Sequence, residues 1–475
     1  MKILIHGFGT YAIFFYEVIR LSIKNKDGIQ WSIILPTAHY KKNFEELIGK
    51  ENVYYLHDEQ MCSEKIDSAF LKNYCGNIYR DIESDKKTIK NKKAYEQEKN
   101  AFFTYLSYKK FLRLSGAENI IFPHIESHEG MILHSLAKEL GLTTIVPTHT
   151  RCLGESFFSD EITEDLPIYA SVDISLKNKA EEFLKEFNIN NISAMSYPGS
   201  LENQKGNVDK IFKRNFFRRV LDYSIQLFSE RSYQSWDGVR YRLLNNLPFI
   251  RDFIWNIRKN YNSNVYDCRS INDLPEKFIY YPLQYSPESS INTPAPYFID
   301  QLRIIDALRL SMPSDMILVV KEHPSCIMVR NGDFIRSLKY KAGVRVAYYK
   351  MDNIEIIKKA ALTVSVTGTA NLEAFLLKKP SLVFGGCFFS EFLGGICTLD
   401  MSKLREVIAD TIEKNINKDE QLNALMKILS VTYPFVIFTP NDGTKYGDMT
   451  MSVENIKNFY NALLSHITRR NTDRR

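Results

Sequence analysis

Short apolar runs that alternate with helical patterns predict an α/β architecture for most of this chain. In the second half, three apolar runs, 278–283, 316–320 and 362–366, each end in a cluster of small polar residues. Short β-rich runs separated by helical patterns are typical of parallel strands with crossover helices. Ligands of such sheets bind in the crevice beyond the carboxyl ends of the strands. We therefore expect the three polar clusters to meet at one pocket.

The first half of the chain, residues 1–205, follows the same pattern. Residues 1–9, MKILIHGFG, predict a first strand that runs into a turn containing Gly7 and Gly9. The two glycines match part of a dinucleotide-binding fingerprint, but the third glycine is missing and the next strand, 31–37, ends without an acidic residue. We therefore favour a tight strand-to-helix turn over an NAD site.

Two later strands of this half lead into loops that are rich in ionisable residues. The first loop contains His124, Glu126, His128 and Glu129, and the second contains His149, Arg151, Glu155 and Asp160. Either glutamate of the first loop could instead stabilise the start of the following helix through the helix dipole. The histidines lack the spacing that places two of them on one helix face, so we expect no metal site.

Residues 206–265 have a different composition, rich in aromatic residues and arginine. Over 205–261 there are 12 Lys/Arg against 5 Asp/Glu. One interpretation is a helical insertion whose aromatic side chains dock on the protein while its charges stay in solvent. The other is a peripheral membrane contact, because basic amphipathic helices with Trp and Phe bind anionic lipid surfaces. The pattern slightly favours the first interpretation.

The polar clusters of the second half also carry a family resemblance. The segments PLQYSPE, DQL (Asp300 to Leu302), VKEHP and TVSVTGTANLEAFLLKKPSLVFG resemble the capsule polysaccharide biosynthesis family over residues 278–390. Characterised members include β-Kdo transferases, which move 3-deoxy-D-manno-oct-2-ulosonic acid (Kdo) from its CMP-activated form. The resemblance implies a GT-B glycosyltransferase.

A GT-B protein has two Rossmann-like parallel-sheet domains facing a cleft. In this chain the first domain would span 1–205 and take the acceptor, and the second would span 266–440 and bind the nucleotide sugar. The basic aromatic helical insertion would lie between them. Residues 441–475 predict a final helix, which in GT-B proteins often crosses back to the first domain.

The resemblance also implies which residues line the two sides of the cleft. Thr367 to Asn371 lie where a strand enters a helix, so their amides, hydroxyls and helix dipole could hold a phosphate. Glu373 could accept hydrogen bonds from ribose. The expected donor-binding residues are Gln284, Glu288, Lys321, His323, Pro324, Thr367, Gly368, Thr369, Asn371 and Glu373. The expected acceptor-side residues are Gly7, Gly9, His124, His149 and Arg151.

Sugar transfer needs groups at both ends of the breaking bond. His323 could neutralise the leaving phosphate or donate a proton to it, and Lys321 could add positive charge. A carboxylate of the first domain could act as base in an inverting reaction or as nucleophile in a retaining one. We expect Glu126 to be this carboxylate, with Asp160 second and Glu129 third. No DxD pair lies in a plausible donor loop, so we expect a metal-independent reaction without a cofactor.

Composition is typical of a soluble globular protein, and the length fits two domains. The chain has 475 residues, of which 44% are hydrophobic and 25% charged, and a net charge of +6. Its seven cysteines form no CxxC pair, which suggests reduced thiols. We find no export signal and no apolar run of membrane-spanning length. We expect a cytoplasmic protein that could act at the inner face of the cytoplasmic membrane, with no nucleic-acid partner.

Two alternatives to a CMP-sugar transferase stay open. A UDP-sugar-using GT-B transferase or a hydrolysing 2-epimerase would share the architecture and differ in base recognition. A non-catalytic glycan-binding scaffold would keep only the fold. Ionisable residues concentrated at several strand ends argue against the scaffold, because it has no need for them there.

Overall fold

The structure is a computed structural model. The residues that it describes are 1–56, 74, 76–85, 93–125, 127–151, 153–190, 266–285, 289–323, 326, 330, 332–393, 395–396, 401–440 and 445–473. The predicted insertion, 206–265, lies outside the described residues, as do three predicted site residues: Glu126, Glu288 and Pro324.

The first domain is built on a six-stranded sheet with the order β3-β2-β1-β4-β5-β6. Its strands are β1 Lys2–His6, β2 Gln30–Leu35, β3 Val53–Tyr55, β4 Asn119–Ile121, β5 Thr143–His149 and β6 Ser156–Ser159. All pairs are parallel except β5 with β6, which is antiparallel. The prediction of a parallel sheet is therefore wrong at this edge. Because β6 is antiparallel to β5, the residues that follow β6 lie near the start of β5.

The second domain is built on a six-stranded sheet with the order β12-β11-β10-β7-β8-β9, parallel throughout. Its strands are β7 Phe278–Pro282, β8 Ile317–Lys321, β9 Val344–Ala347, β10 Leu362–Ser365, β11 Ser381–Val383 and β12 Gly395–Ile396. Each sheet reverses its strand order next to its first strand, as in a Rossmann fold. The prediction of two Rossmann-like domains in a GT-B arrangement is confirmed.

Helices cover both faces of both sheets. The described α-helices are α1 Tyr11–Asn25, α2 Lys41–Ile48, α3 Ile78–Ser84, α4 Ala94–Ser115, α5 His128–Glu139, α6 Lys177–Asn190, α7 Ser289–Asn292, α8 Gln301–Ser311, α9 Gly332–Leu338, α10 Asn353–Lys359, α11 Thr369–Leu376, α12 Leu404–Ile412, α13 Lys418–Leu429, α14 Lys445–Thr450 and α15 Val453–Asp473. Because successive side chains of a strand point to opposite faces, each strand contributes to two cores. Ile3 and Ile5 face α1, whereas Leu4 faces α4 and α5.

Two helices pack against the domain to which they do not belong in sequence. The last helix, α15, lies on α1 of the first domain, where Phe459 contacts Phe14 and Phe15 edge to face. In exchange, α6 packs with Leu184 and Phe187 against α13 of the second domain. These exchanged helices bury apolar surface between the domains and hold the two sheets on either side of one cleft.

Hydrogen bonds also join the domains near the cleft. The Thr293 hydroxyl donates to the carbonyl of Ile125, just beyond β4, at 2.8 Å. Ser156 and Tyr433 exchange two backbone hydrogen bonds of 3.2 and 2.8 Å. These contacts between the domains place strand ends of the two sheets close together. They join residues far apart in the chain, so a local sequence pattern does not predict them.

Candidate functional site

The polar segments after β7 and β10 touch at the point where the second sheet reverses its strand order. A Cβ atom placed on Gly368 would lie 2.3 Å from Nε2 of Gln284 and 3.0 Å from Oγ of Ser365. The backbone of Gly368 is extended, with φ −76° and ψ 147°, so its conformation does not require glycine. What favours glycine here is the close approach of the Gln284 and Ser365 side chains.

Two side chains hold Gln284 in place through its backbone. The Gln284 amide donates to Oε1 of Gln301 at 2.7 Å, and Nε2 of Gln301 donates back to the Gln284 carbonyl at 3.2 Å. Arg330 donates to the same carbonyl at 2.6 Å. We did not predict Gln301 or Arg330 as site residues. The DQL tripeptide contained the first signal, since Gln301 is its central residue.

Lys321 ends β8 with its side chain buried beside the same switch point. Its ammonium group donates to Oδ1 of Asn353, which also accepts a hydrogen bond of 2.8 Å from the Tyr280 hydroxyl. Burial lowers the pKa of Lys321 from 10.5 to about 8, although Glu373 and Asp352 act in the opposite direction. Because this pKa is above 7, the ammonium group is still mainly charged at pH 7.

His323 follows β8 by two residues and is half-buried beside the Tyr285 ring, with 5.8 Å between ring centroids. Burial, together with the smaller effects of the charges of Lys321 and Arg330, lowers the pKa of His323 from 6.5 to about 4. The imidazole is therefore neutral at pH 7 in this structure. In this state it can exchange hydrogen bonds with a ligand, and both predicted roles of His323 at a leaving phosphate stay predictions.

Glu322, between these two residues, is used within the domain. Its carboxylate accepts from Nε of Arg330 at 2.7 Å and from the His323 amide at 2.7 Å. Both charged side chains are nearly buried, with 2% and 10% of their surfaces exposed. This ion pair fixes the loop after β8 and satisfies one buried charge with another.

The segment after β10 begins helix α11. The Gly368 amide donates to Ser365 Oγ at 2.9 Å, and Thr369 is the first helical residue. Thr367 and Glu373 are buried. Asn371 is fully buried and its side-chain amide donates to the Leu382 carbonyl at 2.7 Å. Asn371 therefore ties α11 to β11. At the start of this segment Gly368 and Thr369 are partly exposed, whereas Thr367 is buried.

Arg151 of the first domain reaches this same segment. Its guanidinium donates to the Thr367 carbonyl at 3.0 Å and pairs with Glu164. It also lies over the rings of Phe388 and Phe389, at 6.0 and 5.8 Å from their centroids. Arg151 was predicted on the acceptor side, and the structure brings it to the expected donor segment.

The other predicted acceptor-side residues lie at the carboxyl ends of the first sheet. Gly7 and Gly9 follow β1, and Gly9 has a φ of +55°, which favours glycine. His124 follows β4 and lies near the Tyr11 ring. His149 ends β5, and its Nδ1 accepts a hydrogen bond of 2.8 Å from the Arg151 amide. Burial and the nearby Arg151 lower the pKa of His149 to about 3, so this imidazole is neutral.

Of the predicted catalytic carboxylates, Asp160 lies away from the cleft edge of the first sheet and Glu129 lies at it. Because β6 runs antiparallel to β5, Asp160 lies beside Thr144 near the start of β5, where the Thr144 hydroxyl donates to the Asp160 carbonyl at 2.6 Å. The Asp160 side chain pairs with Arg470 of α15. This position removes the strand-end argument for Asp160. Glu129 lies in the first turn of α5 at the cleft edge of the sheet, and Glu126 is outside the described residues.

Two buried polar residues of the first domain, Asp85 and His6, were not predicted as site residues. The His128 ring contacts the Asp85 carboxylate with 2.5 Å between Nδ1 and Oδ2. His6, at the end of β1, is fully buried and its pKa is lowered by burial to about 4. The available signal for His6 was its place at the polar end of the first apolar run, which periodicity alone does not distinguish from the place of a core residue.

Among the residues that the structure describes, no group of three or more His, Cys, Asp or Glu side chains is arranged to hold a metal ion. In the same parts of the chain, no helix combines the length and apolar character needed to cross a membrane.

A family comparison bears on this site. Residues 235–433 match the model of the family described as "Capsule polysaccharide biosynthesis protein". The matched region contains the ends of β7, β8 and β10 together with Gln301. The match confirms the resemblance that these motifs indicated. No curated protein matches the chain at a significant level.

Solved structures similar to this chain include a UDP-GlcNAc 2-epimerase from Methanocaldococcus jannaschii, at 11% identity with 90% of this chain and 99% of that chain covered and a TM-score of 0.25. The β-Kdo 2,7 transferase of KpsC from Thermosulfurimonas dismutans matches at 13% identity, with 76% and 89% covered and a TM-score of 0.32. The β-Kdo 2,4 transferase of the same protein matches at 13% identity, with 65% and 79% covered and a TM-score of 0.34. These TM-scores are too low to support a conclusion about fold or activity.

Proposed function

We propose that this protein, whose residues 235–433 match the capsule polysaccharide biosynthesis family, is a glycosyltransferase of bacterial surface-polysaccharide assembly. It transfers a sugar from a nucleotide-activated donor to a glycan or lipid-linked glycan acceptor. The sugar is Kdo or a related ulosonate, and the donor is its CMP-linked form. One observation carries the proposal: Gln284 packs directly on Gly368 at the switch point of the second sheet.

The donor binds in the crevice around that contact, where Rossmann-like sheets bind nucleotides. The amides at the start of α11 and the ammonium group of Lys321 offer a phosphate both hydrogen bonds and positive charge. Gln301 and Arg330 hold the backbone of Gln284 through hydrogen bonds. The side-chain amide of Gln284 contributes a hydrogen-bond donor and an acceptor for the ribose or the base. Glu288 and Pro324 remain proposed donor-binding residues from their places in the motifs.

His323 acts on the leaving group as a neutral imidazole. A neutral ring can donate one hydrogen bond to a phosphate oxygen as the bond to the sugar breaks. Lys321, with its pKa lowered by burial to about 8, supplies the charge that the imidazole lacks. This division of labour needs no metal ion at the donor phosphate.

The acceptor approaches from the first domain. Gly7, Gly9 and His124 lie at the carboxyl ends of β1 and β4, where the first sheet reverses its strand order. We propose Glu126 as the carboxylate that serves as base or nucleophile, because it lies in the chain between β4 and α5. Glu129 is the second candidate, since it lies in the first turn of the same helix.

A thermal-shift comparison of CMP, CDP, UDP and GDP tests the donor assignment. A ligand that binds only the native state raises the free energy of unfolding by about 2.7 kcal/mol at 100 times its Kd. We expect CMP to give the largest shift. A larger shift with UDP would favour a UDP-sugar transferase or a 2-epimerase, and no shift with any nucleotide would favour a glycan-binding scaffold.

Transfer itself is measured with CMP-Kdo and a capsule or lipopolysaccharide acceptor. We also propose that the enzyme works in the cytoplasm at the inner face of the cytoplasmic membrane, where a lipid-linked acceptor would be reached. The basic aromatic segment 206–264, outside the described residues, is the proposed contact. Its composition of positive charges and aromatic rings supports this assignment.

A further inference from the structure

The described part of the chain has four non-glycine residues with positive φ: Lys26, Arg151, Glu164 and Lys378. Lys26 and Lys378 directly follow or end the last turns of α1 and α11, where a left-handed residue commonly terminates a helix. Arg151 and Glu164 follow no helix. They lie on separate loops of the first domain, and their side chains pair with each other.

The local structure fixes the Arg151 guanidinium at the domain boundary. The Arg151 amide donates to His149 Nδ1 at 2.8 Å, which holds the turn after β5. The side chain is 15% exposed and reaches the Thr367 carbonyl at 3.0 Å. Glu164 and two phenylalanine rings complete its surroundings. A planar cation is therefore held one residue from Gly368, by contacts that involve both domains.

Loop 161–165 is fitted to the second domain beside this cation. A Cβ atom on Gly386 would lie 3.0 Å from Cγ2 of Thr163, and one on Gly385 would lie 2.7 Å from Cγ2 of Thr367. The loop that carries Glu164 thus packs on the segment after β11, which in turn packs on the segment after β10. Arg151 and Glu164, both of the first domain, therefore lie where that domain contacts the second.

We propose that Arg151 is a donor-phosphate-binding residue, supplied by the first domain to the nucleotide site of the second. This inference rests on the proposed function, because the ligand is the phosphate of the nucleotide donor. A phosphate at the start of α11 lies within reach of the guanidinium that now contacts the Thr367 carbonyl. Arginine binds phosphate through parallel N–H groups, so exchange of the carbonyl for phosphate oxygens keeps its hydrogen bonds and adds charge attraction.

The competing interpretation is that Arg151 only joins the domains. The two interpretations differ in which part of the ligand the residue recognises. A phosphate-binding arginine contributes to the affinity for CMP. It contributes nothing to the affinity for cytidine, which has the same base and ribose but no phosphate. An arginine that only joins the domains affects both ligands equally, because both need the same closed cleft.

Calorimetric titration of the full chain with CMP and with cytidine separates them. We expect Arg151→Gln to lower the ratio of CMP to cytidine affinity by about tenfold or more, as for loss of a hydrogen bond to a charged group. Arg151→Lys keeps the positive charge but lacks the planar guanidinium. Its ratio of CMP to cytidine affinity should lie between those of wild type and Arg151→Gln. Glu164→Gln removes the competing carboxylate and should leave the ratio at or above the wild-type value.

Arg470→Gln is the matched control. Arg470 is also a buried arginine paired with a carboxylate, Asp160, but it lies at the opposite end of the first sheet. It should lower the unfolding temperature and leave the CMP to cytidine ratio unchanged. An unchanged ratio in Arg151→Gln, with wild-type CMP binding intact, would overturn the inference. If wild type prefers UDP, the same experiment uses UDP and uridine; if it binds no nucleotide, the proposed function itself fails.

Discussion

Replacing Gly368 by alanine tests whether the contact with Gln284 builds the nucleotide site. The new Cβ would lie 2.3 Å from Nε2 of Gln284, which is the far end of a flexible side chain. The backbone at Gly368 suits alanine, so the substitution should gain about 0.4–1 kcal/mol from the unfolded state. Overpacking should cost about 1–3 kcal/mol. The net loss in free energy of unfolding is therefore between zero and about 2.5 kcal/mol.

The double variant with Gln284→Ala isolates the contact. Removing the glutamine side chain removes the 2.3 Å clash, so Gly368→Ala should become neutral or slightly stabilising in that background. The contacts with Ser365 are present in both backgrounds and cancel in the cycle. We expect a coupling free energy of about 1–3 kcal/mol from urea unfolding of the four proteins.

Binding should respond more than stability does. In Gly368→Ala the glutamine moves away from the switch point, and one ligand hydrogen bond is lost. Such a bond is worth about 0.5–1.5 kcal/mol, so calorimetry should show the Kd for CMP rising by up to about tenfold. Gln284→Ala should weaken CMP to the same degree. A coupling below about 0.5 kcal/mol, or unchanged CMP binding in both single variants, would refute the reasoning.

The remaining predictions concern chemistry, pH and lipid. His323→Ala should fold normally and lose about 10²-fold in transfer rate, and His323→Gln, which keeps a hydrogen-bond donor, should lose less. If both folded variants transfer sugar at the wild-type rate, the histidine is structural. Glu126→Gln should keep CMP binding and lose roughly 10² in turnover, whereas Asp160→Asn should act on stability; the reverse pattern would exchange the roles. Burial lowers the pKa of Lys321 from 10.5 to about 8, so between these pH values the unfolded chain binds more protons and the free energy of unfolding rises with pH. Measured by urea unfolding, the free energy of unfolding of wild type minus that of Lys321→Met should increase by about 2 kcal/mol from pH 7 to 9.5. A difference that stays constant with pH would contradict this prediction. Sedimentation with phosphatidylglycerol vesicles should show binding at low salt that high salt weakens and that deletion of 206–264 abolishes; no binding at low salt would leave the docked insertion as the better interpretation.

The sequence determined the strand and helix order of both domains to a large extent. Apolar runs of strand length, ended by glycine or polar residues, are local signals, and the strands β1, β7, β8 and β10 lie where these runs occur. The prediction of these strands succeeds because the period of side-chain burial and the chemistry of a turn are properties of adjacent residues. The family motifs lie at the ends of β7, β8 and β10, and their assignment to the donor side stays a prediction.

Tertiary structure decided which of these ends meet and what protonation state they have. Whether β6 runs parallel or antiparallel depends on its pairing partner, and this choice separates Asp160 from the cleft. Arg151 and Thr367 are 216 residues apart, and only domain packing brings them to 3.0 Å. The neutral state of His323 and the lowered pKa of Lys321 follow from burial. Burial and long-range contacts arise from the packed molecule, and no local pattern of residues contains them.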